Sequence, residues 1–303
     1  METYRTPDDR FAGLTGFDHE PQYAEVADGD GGSLRMAYVD AGPTDGPVVL
    51  LLHGEPTWSY LYRHVIDVLT AEGIRAIAPD LVGFGRSDKP LDPQDHSFAR
   101  HVEWMRALAF DHLDLAGVTL VGQDWGGLIG LRLVAEHPDR FTRVVAANTG
   151  LPTGDHSMPE IWWAFRRAVE GAETLDIGRL VEAGCLRGLD PADRAAYDAP
   201  FPDEASKTGP RVMPTLVPTR PDDPATAANR AAWDVLGGWD KPFLTAFSDG
   251  DPITGAMAPV LQKLIPGAAG REHPVLSDAG HFLQEDAGDE LGRVVATFVR
   301  GSE

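Results

Sequence analysis

The chain has 303 residues and carries 26 lysine and arginine residues against 47 aspartate and glutamate residues, a net charge of −21 with neutral histidines. Phosphate backbones and anionic membrane surfaces repel such a chain, which argues against a nucleic-acid or membrane partner. A composition of 43% hydrophobic and 24% charged residues is typical of a folded globular protein and excludes disorder as its main state.

The first half of the chain alternates strand-like and helix-like patterns. The runs 23–27 and 34–40 read as an antiparallel pair, because the second alternates apolar and polar residues. Mostly apolar runs, typical of parallel strands covered on both faces, follow at 48–52, 75–78, 118–122 and 144–147. Helical patterns lie between these runs at 59–72, 97–113 and 125–137. This order predicts a parallel sheet with right-handed crossovers.

The middle of the chain, residues 152–224, contains no run that fits a parallel strand. Helical patterns near 159–169 and 176–186 precede a proline-rich stretch. The strand and helix alternation then resumes, near 225–236, 242–247, 258–264, 272–276 and 285–299. We therefore expect an α/β core, residues 1–151 and 225–303, with a mostly parallel eight-stranded sheet flanked by helices. A helical cap, residues 152–224, is inserted after the sixth strand, and the cleft between core and cap is a usual place for a small ligand.

The strongest local signal is Gly122-Gln123-Asp124-Trp125-Gly126, which follows an apolar strand and opens a helix. In a nucleophile elbow, glycines flank the nucleophile because a Cβ atom at either position would clash in so tight a turn. The nucleophile would then be Asp124. On this segment alone, Asp124 is equally well interpreted as the N-cap of the helix.

The order of later residues favours the nucleophile. Acyl-transfer sites of this architecture present nucleophile, acid and histidine in that order along the chain, which Asp124, Asp251 and His281 satisfy. His281 follows the last strand, as a general base should, although a solvated loop histidine is the alternative. Asp249 competes with Asp251 for the acid. We prefer Asp251 because Asp251-Pro252 ends the strand there, whereas Asp249 suits an Asx turn.

The loop after the third strand begins His53-Gly54-Glu55. The backbone N–H of Glu55, with that of Trp125 at the helix start, can form a pair of donors for an oxyanion. His53 and Gly54 are interpreted as structural. No histidine pair or carboxylate cluster at ligand spacing accompanies His53, so we expect no metal and no cofactor.

The single cysteine, Cys185, excludes an intramolecular disulfide and a cysteine-based zinc site. The first residues lack the apolar region of a signal peptide, and no run approaches the ~18 apolar residues of a membrane span. We expect a cytoplasmic protein. A monomer is the default expectation, although no sequence feature determines the oligomeric state.

Four segments together resemble the haloalkane dehalogenases of the α/β-hydrolase superfamily. They are HGEPTWSY at 53–60, PDLVGFGRSDKP at 79–90, GQDWG at 122–126 and GHFLQE at 280–285. The resemblance extends over almost the whole chain, including the cap. His-Gly and Gly-x-Asp-x-Gly occur across the superfamily, whereas Glu55, Thr57-Trp58 and Trp125 are much more selective for the dehalogenases.

An aspartate nucleophile suits the reaction that the resemblance implies, the cleavage of a haloalkane to a primary alcohol, a halide ion and a proton. Asp124 would displace the halide and form an alkyl ester, which water activated by His281 would hydrolyse. A serine would instead form an ether, which has no carbonyl for water to attack. The expected partners are a small halogenated hydrocarbon, water and the halide.

The leaving halide needs hydrogen-bond donors, and an indole N–H is a donor only. Trp125 adjoins the nucleophile, and Trp162-Trp163 begins the cap helix. Adjacent helical residues point about 100° apart, so at most one of this pair faces the site and the other packs. We choose Trp162 because residues 162–165 resemble the family's cap segment; Trp163 is the alternative. The candidate pocket walls are Phe165 and Phe201.

Three other functions fit the same fold. Epoxide hydrolases supply a pair of cap tyrosines, and this cap segment contains only Tyr197. Fluoroacetate-type dehalogenases bind a carboxylate through an arginine near the nucleophile, and none follows Asp124 in Trp125-Gly126-Gly127. Noncatalytic binding proteins of this fold typically lose a triad member, and all three members are present here. Cap packing and tunnel width, rather than a sequence motif, determine the natural substrate.

Overall fold

The central sheet contains the strands that the apolar runs predict. The computed structural model describes residues 1–301. The strands are β1 (Gln22–Ala27), β2 (Ser33–Ala41), β3 (Val48–Leu52), β4 (Arg75–Pro79), β5 (Val118–Gln123), β6 (Phe141–Ala147) and β7 (Phe243–Thr245). Their spatial order is β1-β2-β4-β3-β5-β6-β7. Strand β2 is antiparallel to both neighbours and the other pairs are parallel, which confirms the mostly parallel sheet.

The eighth position of the sheet lies beyond a one-residue break at Ala246. Strand β8 (Phe247–Ser248) follows the break and pairs in parallel with β9 (Val275–Leu276). The Ala246 N–H donates to the carbonyl oxygen of Ala146 at 2.9 Å, so the backbone stays bonded to β6 through the break. With β7 and β8 taken as one strand, the sheet has the expected eight strands.

The last strand is shorter than the predicted run 272–276. The His273 ring, rather than its backbone, accepts a hydrogen bond from the Thr245 N–H at 3.1 Å. Pro274 has no N–H to donate to a neighbouring strand. Regular pairing therefore begins only at Val275.

Ten α-helices occur among the described residues. They are α1 (Arg63–Ala71), α2 (Phe98–Arg106), α3 (Trp125–Glu136), α4 (Glu160–Gly171), α5 (Ile177–Ala183), α6 (Pro191–Asp198), α7 (Thr208–Leu216), α8 (Thr226–Leu236), α9 (Met257–Leu264) and α10 (Leu283–Arg300). A 3₁₀ turn precedes α1 and a π-helical turn extends α2, so the long patterns 59–72 and 97–113 each cover two kinds of helix. Helices α1 and α10 pack together, as do α2, α3 and α8.

Helices α4 to α7 occupy the segment between β6 and α8, and no strand occurs within it. Helices α4 and α5 match the predicted helical patterns 159–169 and 176–186, whereas α6 and α7 lie in and beside the proline-rich stretch, for which no element is predicted. Pro191 opens α6 at a position where the missing N–H is not needed, and Pro210 lies in the first turn of α7. Pro214 lies inside α7. The division into a core and a cap, residues 152–224, stays a prediction.

The loop after β3 anchors this helical segment. The Trp58 indole N–H donates to the Ala196 carbonyl oxygen of α6 at 3.1 Å, and the Tyr60 hydroxyl donates to Asp193 at 2.7 Å. The Arg63 guanidinium forms a bidentate pair with Glu285, which also accepts a hydrogen bond from the Tyr197 hydroxyl. No helix within residues 1–301 is long and apolar enough to cross a membrane.

Candidate active site

Asp124 occupies the tight turn between β5 and α3. Its backbone has φ 49° and ψ −126°, a strained conformation that residues with a side chain rarely adopt. A Cβ atom at position 126 would lie 2.0 Å from the Leu52 carbonyl oxygen. A Cβ atom at position 122 would lie 2.7 Å from the Gly127 Cα atom. The turn therefore requires Gly122 and Gly126, as the elbow interpretation expects.

The Asp124 carboxylate does not cap α3, because it accepts no hydrogen bond from the amides of the first turn. Its Oδ1 atom accepts a hydrogen bond from the Glu55 N–H at 2.9 Å, and its Oδ2 atom lies 3.5 Å from His281 Nε2. A Cβ atom at Gly54 would lie 2.4 Å from Oδ1, so this approach needs a glycine. One oxygen is thus held by the main chain and the other faces the imidazole.

His281 lies between two carboxylates. Its Nδ1 atom is 3.2 Å from Asp251 Oδ2, an ion-pair contact rather than a well-aligned hydrogen bond. The Asp251 side chain is fully buried and accepts hydrogen bonds from the Ile253 N–H, at 2.9 Å, and the Thr254 hydroxyl. Asp249 instead accepts a hydrogen bond from the Ala279 N–H, at 3.4 Å. Asp251, not Asp249, is therefore the carboxylate at the histidine.

The two carboxylates determine the charge of His281. Burial alone would lower the pKa of His281, but the carboxylates of Asp251 and Asp124 outweigh it and raise the pKa to about 10. For Asp251, burial opposes ionisation, yet His281 and the donors around the carboxylate lower its pKa. An imidazolium between two carboxylates is therefore the stable arrangement at neutral pH.

The side chains of Glu55 and His53 lie in different environments. Burial, with the nearby Asp124 carboxylate, raises the pKa of Glu55 well above its ordinary value. His53 contacts the Gly54 carbonyl oxygen through Nδ1 and accepts the Leu81 N–H through Nε2, both at 2.9 Å. His53 thus joins two loops, as a structural residue would. No group of three or more His, Cys, Asp or Glu side chains within the described chain is arranged to hold a metal ion.

Two residues that the sequence analysis missed hold the His281 loop. The Asn148 side-chain amide donates to the carbonyl oxygens of Gly280 and His281, each at 3.0 Å. The Gln123 amide donates to the His281 carbonyl oxygen at 3.2 Å. Both residues are polar and lie at the carboxyl ends of apolar strands, where sites of parallel sheets gather. Their position at the strand ends is the sequence signal that could have identified them as site residues.

A cavity of about 1350 Å³ extends from this cluster, and Glu55, Asp124 and His281 line it. Trp125, Trp162 and Phe165 also line the cavity, whereas Trp163 faces a separate surface pocket beside Arg166. Neither the Trp125 nor the Trp162 indole N–H has a hydrogen-bond partner among residues 1–301. The structure thus brings the two predicted indoles to one cavity. The backbone N–H of Trp125, the second predicted oxyanion donor, makes no hydrogen bond to the Asp124 carboxylate within residues 1–301.

Phe201 does not line the cavity, so its assignment as a pocket wall is wrong. Its ring is buried against Phe84, with ring centroids 6.3 Å apart, and the Lys89 Nζ atom lies 5.8 Å from its centre. The Phe201 N–H bonds to the Asp198 carbonyl oxygen in the turn that follows α6. Phe201 therefore packs on the segment 79–90 rather than on the cavity.

Comparisons with known proteins agree with this architecture. A family model described as the alpha/beta hydrolase fold matches residues 47–288. A haloalkane dehalogenase of Psychrobacter cryohalolentis is 50% identical over 99% of this chain and 98% of its own. One of Mycobacterium marinum is 52% identical over 98% and 100%. The solved tetrameric haloalkane dehalogenase of Paraglaciecola agarilytica has a TM-score of 0.90 and 37% identity, covering 97% of both chains.

The position of His281 between two carboxylates predicts that Asp124→Asn lowers the pKa of His281. The substitution removes one of the negative charges that favour the imidazolium while the shape of the side chain is kept. The pKa is measured from the chemical shift of the ring protons against pH, with the resonance assigned by its loss in His281→Gln. Asp249→Asn, which removes a carboxylate that does not contact the ring, should leave the pKa unchanged. An equal pKa in wild type and Asp124→Asn would contradict the prediction.

Proposed function

Since this chain belongs to the haloalkane dehalogenases, α/β-hydrolase-fold enzymes that hydrolyse carbon–halogen bonds, we propose that Asp124 is its nucleophile, His281 its base and Asp251 the acid that orients the base. The observation that carries this proposal is the placement of His281 Nε2 at 3.5 Å from Asp124 and of Nδ1 at 3.2 Å from Asp251. One imidazole thereby connects the two carboxylates.

The first step is alkylation of Asp124. Oδ2 is the attacking atom, because Oδ1 is already engaged by the Glu55 N–H. A bond forms between Oδ2 and the substrate carbon while the carbon–halogen bond breaks, and the halide leaves with the electron pair. The product is an uncharged alkyl ester.

The second step is hydrolysis of that ester. Water attacks the carboxyl carbon of Asp124 while His281 takes one of its protons. Negative charge then develops on Oδ1, which already faces the Glu55 N–H, and we propose the Trp125 N–H as the second donor. The bond from the carboxyl carbon to Oδ2 breaks, so the alcohol leaves with Oδ2 and receives its proton from His281. The oxygen of the water stays on Asp124, and one proton is released overall.

Alkylation also prepares the base. In the resting site two carboxylates keep His281 protonated, and a protonated imidazole cannot accept a proton from water. Ester formation removes the charge of Asp124 and therefore lowers the pKa of His281. The imidazole thus becomes a competent base only after the ester exists.

The halide that leaves in the first step needs hydrogen-bond donors. We propose that Trp125 and Trp162 donate their N–H groups to it, since both line the cavity with Asp124. An epoxide hydrolase reading is not favoured: the Tyr197 hydroxyl is buried and bonded to Glu285, away from the cavity lining. No tyrosine within residues 152–224 is therefore available to protonate an epoxide oxygen.

The remaining proposals concern the setting of the reaction. Residues 152–224 form the cap, because α4 supplies Trp162 and Phe165 to the cavity while the core supplies the triad. A monomer is sufficient for catalysis, since every proposed residue comes from one chain. A cytoplasmic location is consistent with the single, buried Cys185, which offers no intramolecular disulfide of the kind common in oxidising compartments.

Replacing Asp124 with asparagine should lower the rate of halide release by at least about three powers of ten, because an amide is a poor nucleophile. Bromide release from 1-bromobutane measures the effect, and mass spectrometry of the variant excludes deamidation to aspartate. Wild-type protein should also take up one heavy oxygen at Asp124 in a single turnover in ¹⁸O-water. Label in the alcohol instead would rule out the ester route.

The His281→Gln variant should release one equivalent of halide and then stall. Alkylation needs no proton transfer, whereas hydrolysis needs a base, so the two half-reactions separate. A rapid burst of bromide, together with a mass increase equal to the alkyl group on Asp124, is the expected result. Steady release of alcohol at the wild-type rate would place the base elsewhere.

Trp125→Phe and Trp162→Phe should each weaken halide binding and slow carbon–halogen cleavage by roughly one to two powers of ten. Each substitution keeps most of the ring packing but removes one charge-assisted hydrogen bond, which contributes about 1.5–3 kcal/mol. Quenching of tryptophan fluorescence by added halide measures binding, and chloride substrates should suffer more than iodides. Trp163→Phe is the matched control and should bind halide normally. Weaker halide binding in Trp163→Phe alone would mean that Trp163, not Trp162, is the donor from the cap helix.

A further inference from the structure

The cavity reaches the surface through an apolar mouth. Four large apolar side chains that line it are exposed to solvent: Ile161 (46%), Leu186 (59%), Val260 (36%) and Leu264 (49%). Asp124 and His281, both far less exposed, line the same cavity. Contiguous exposed apolar surface on a globular protein usually marks a binding site. This surface is therefore continuous with the site of the reaction.

Two of the helices around the cavity contribute an apolar stripe to its lining. Helix α4 contributes Ile161, Phe165 and Ala168, which recur at positions i, i+4 and i+7 and so form one stripe. Helix α9 contributes Met257, Val260 and Leu264, at i, i+3 and i+7, as a second stripe. The α9 stripe runs from the half-buried Met257 to the exposed Leu264. In the α4 stripe, the half-buried Phe165 lies between the exposed Ile161 and Ala168. Both helices thus present apolar side chains to the cavity along two turns.

The volume of the cavity exceeds what a short haloalkane needs. At about 1350 Å³ it is larger than the roughly 300–1,000 Å³ typical of pockets that hold drug-sized ligands. A substrate with only a few carbon atoms would leave both apolar stripes in contact with water. A long alkyl chain would cover them.

The charges of the lining disfavour an anionic substrate. Within the described chain, one arginine and no lysine line the cavity, and that residue, Arg230, pairs with Asp155 through Nε at 2.9 Å. Asp234 adds a further carboxylate to the same wall. The net charge of −21 also repels anions from the whole molecule. A carboxylate at the far end of the substrate would find no free cation here.

We infer that this enzyme takes long-chain, uncharged primary haloalkanes, whose alkyl tails lie between the stripes of α4 and α9 and extend to the mouth formed by Ile161, Leu186, Val260 and Leu264. The inference rests on the proposed function of the same cavity. Each methylene group transferred from water to an apolar surface raises kcat/KM up to about fourfold, until the tail passes the mouth.

The test compares kcat/KM for bromide release from 1-bromopropane, 1-bromooctane and 8-bromooctanoate, each below its solubility limit. We expect 1-bromooctane to exceed both 1-bromopropane and 8-bromooctanoate by at least about tenfold. Equal or lower values for 1-bromooctane than for 1-bromopropane would overturn the inference while leaving the proposed reaction intact. A kcat/KM for 8-bromooctanoate equal to that for 1-bromooctane would also overturn it. Absence of bromide release from every substrate would refute the proposed function itself.

Charged substitutions at the mouth locate the tail. Ile161→Asp and Leu264→Asp should each lower the ratio of kcat/KM for 1-bromooctane to that for 1-bromopropane by tenfold or more, because the tail would have to cover a carboxylate. Both positions are already exposed, and thermal unfolding checks that the variants fold. Val275→Asp is the matched control, since Val275 is exposed (60%) and outside the cavity lining. An unchanged ratio in both mouth variants would overturn the assignment.

Discussion

The strained turn at Asp124 is the constraint on which the rest of the site depends. A positive φ at a residue with a side chain costs on the order of 1–3 kcal/mol and persists only where the surroundings enforce it. Here they do, because β5 is buried along its whole length and α3 starts close against the preceding loop. A Cβ atom at Gly126 would lie only 2.0 Å from the Leu52 carbonyl oxygen. The turn lifts the carboxylate out of the sheet and presents one oxygen to the Glu55 N–H and the other to His281.

In the mechanism that we propose, electrostatics determines the order of the two half-reactions. A buried imidazole would ordinarily be neutral, but here two carboxylates overcome the cost of burial. The negative charge that would make Asp124 the nucleophile also helps to keep His281 protonated. Conversion of Asp124 to an ester removes both properties at once, since the ester is neither nucleophilic nor negative. The site therefore does not need a conformational change to switch from alkylation to hydrolysis.

The features predicted correctly from the sequence are those that depend on residues close together along the chain. Continuous apolar runs located the parallel strands, and the glycines around Asp124 identified the elbow, because sterics in a tight turn act between neighbours along the chain. The failures involve contacts distant in sequence. Phe201 packs on Phe84, more than a hundred residues earlier, and nothing near Phe201 indicates that choice. Asn148 lies at the end of an apolar strand, a position typical of site residues, but its hydrogen bonds to the Gly280 and His281 carbonyl oxygens span more than 130 residues of sequence.

Two aromatic residues of the motif 53–60, after β3, hold the helical segment through hydrogen bonds. Trp58 and Tyr60 bond α6, and Tyr197 of α6 bonds Glu285 at the start of α10, so α6 is joined to the core on two sides. Helix α4, by contrast, faces the cavity with Trp162 and Phe165. Different helices of one segment thus anchor it and line the cavity. Substitution of an α4 residue that lines the cavity would leave the bonds to α6 intact, whereas replacement of Trp58 or Tyr60 would remove a hydrogen bond between the loop and that helix.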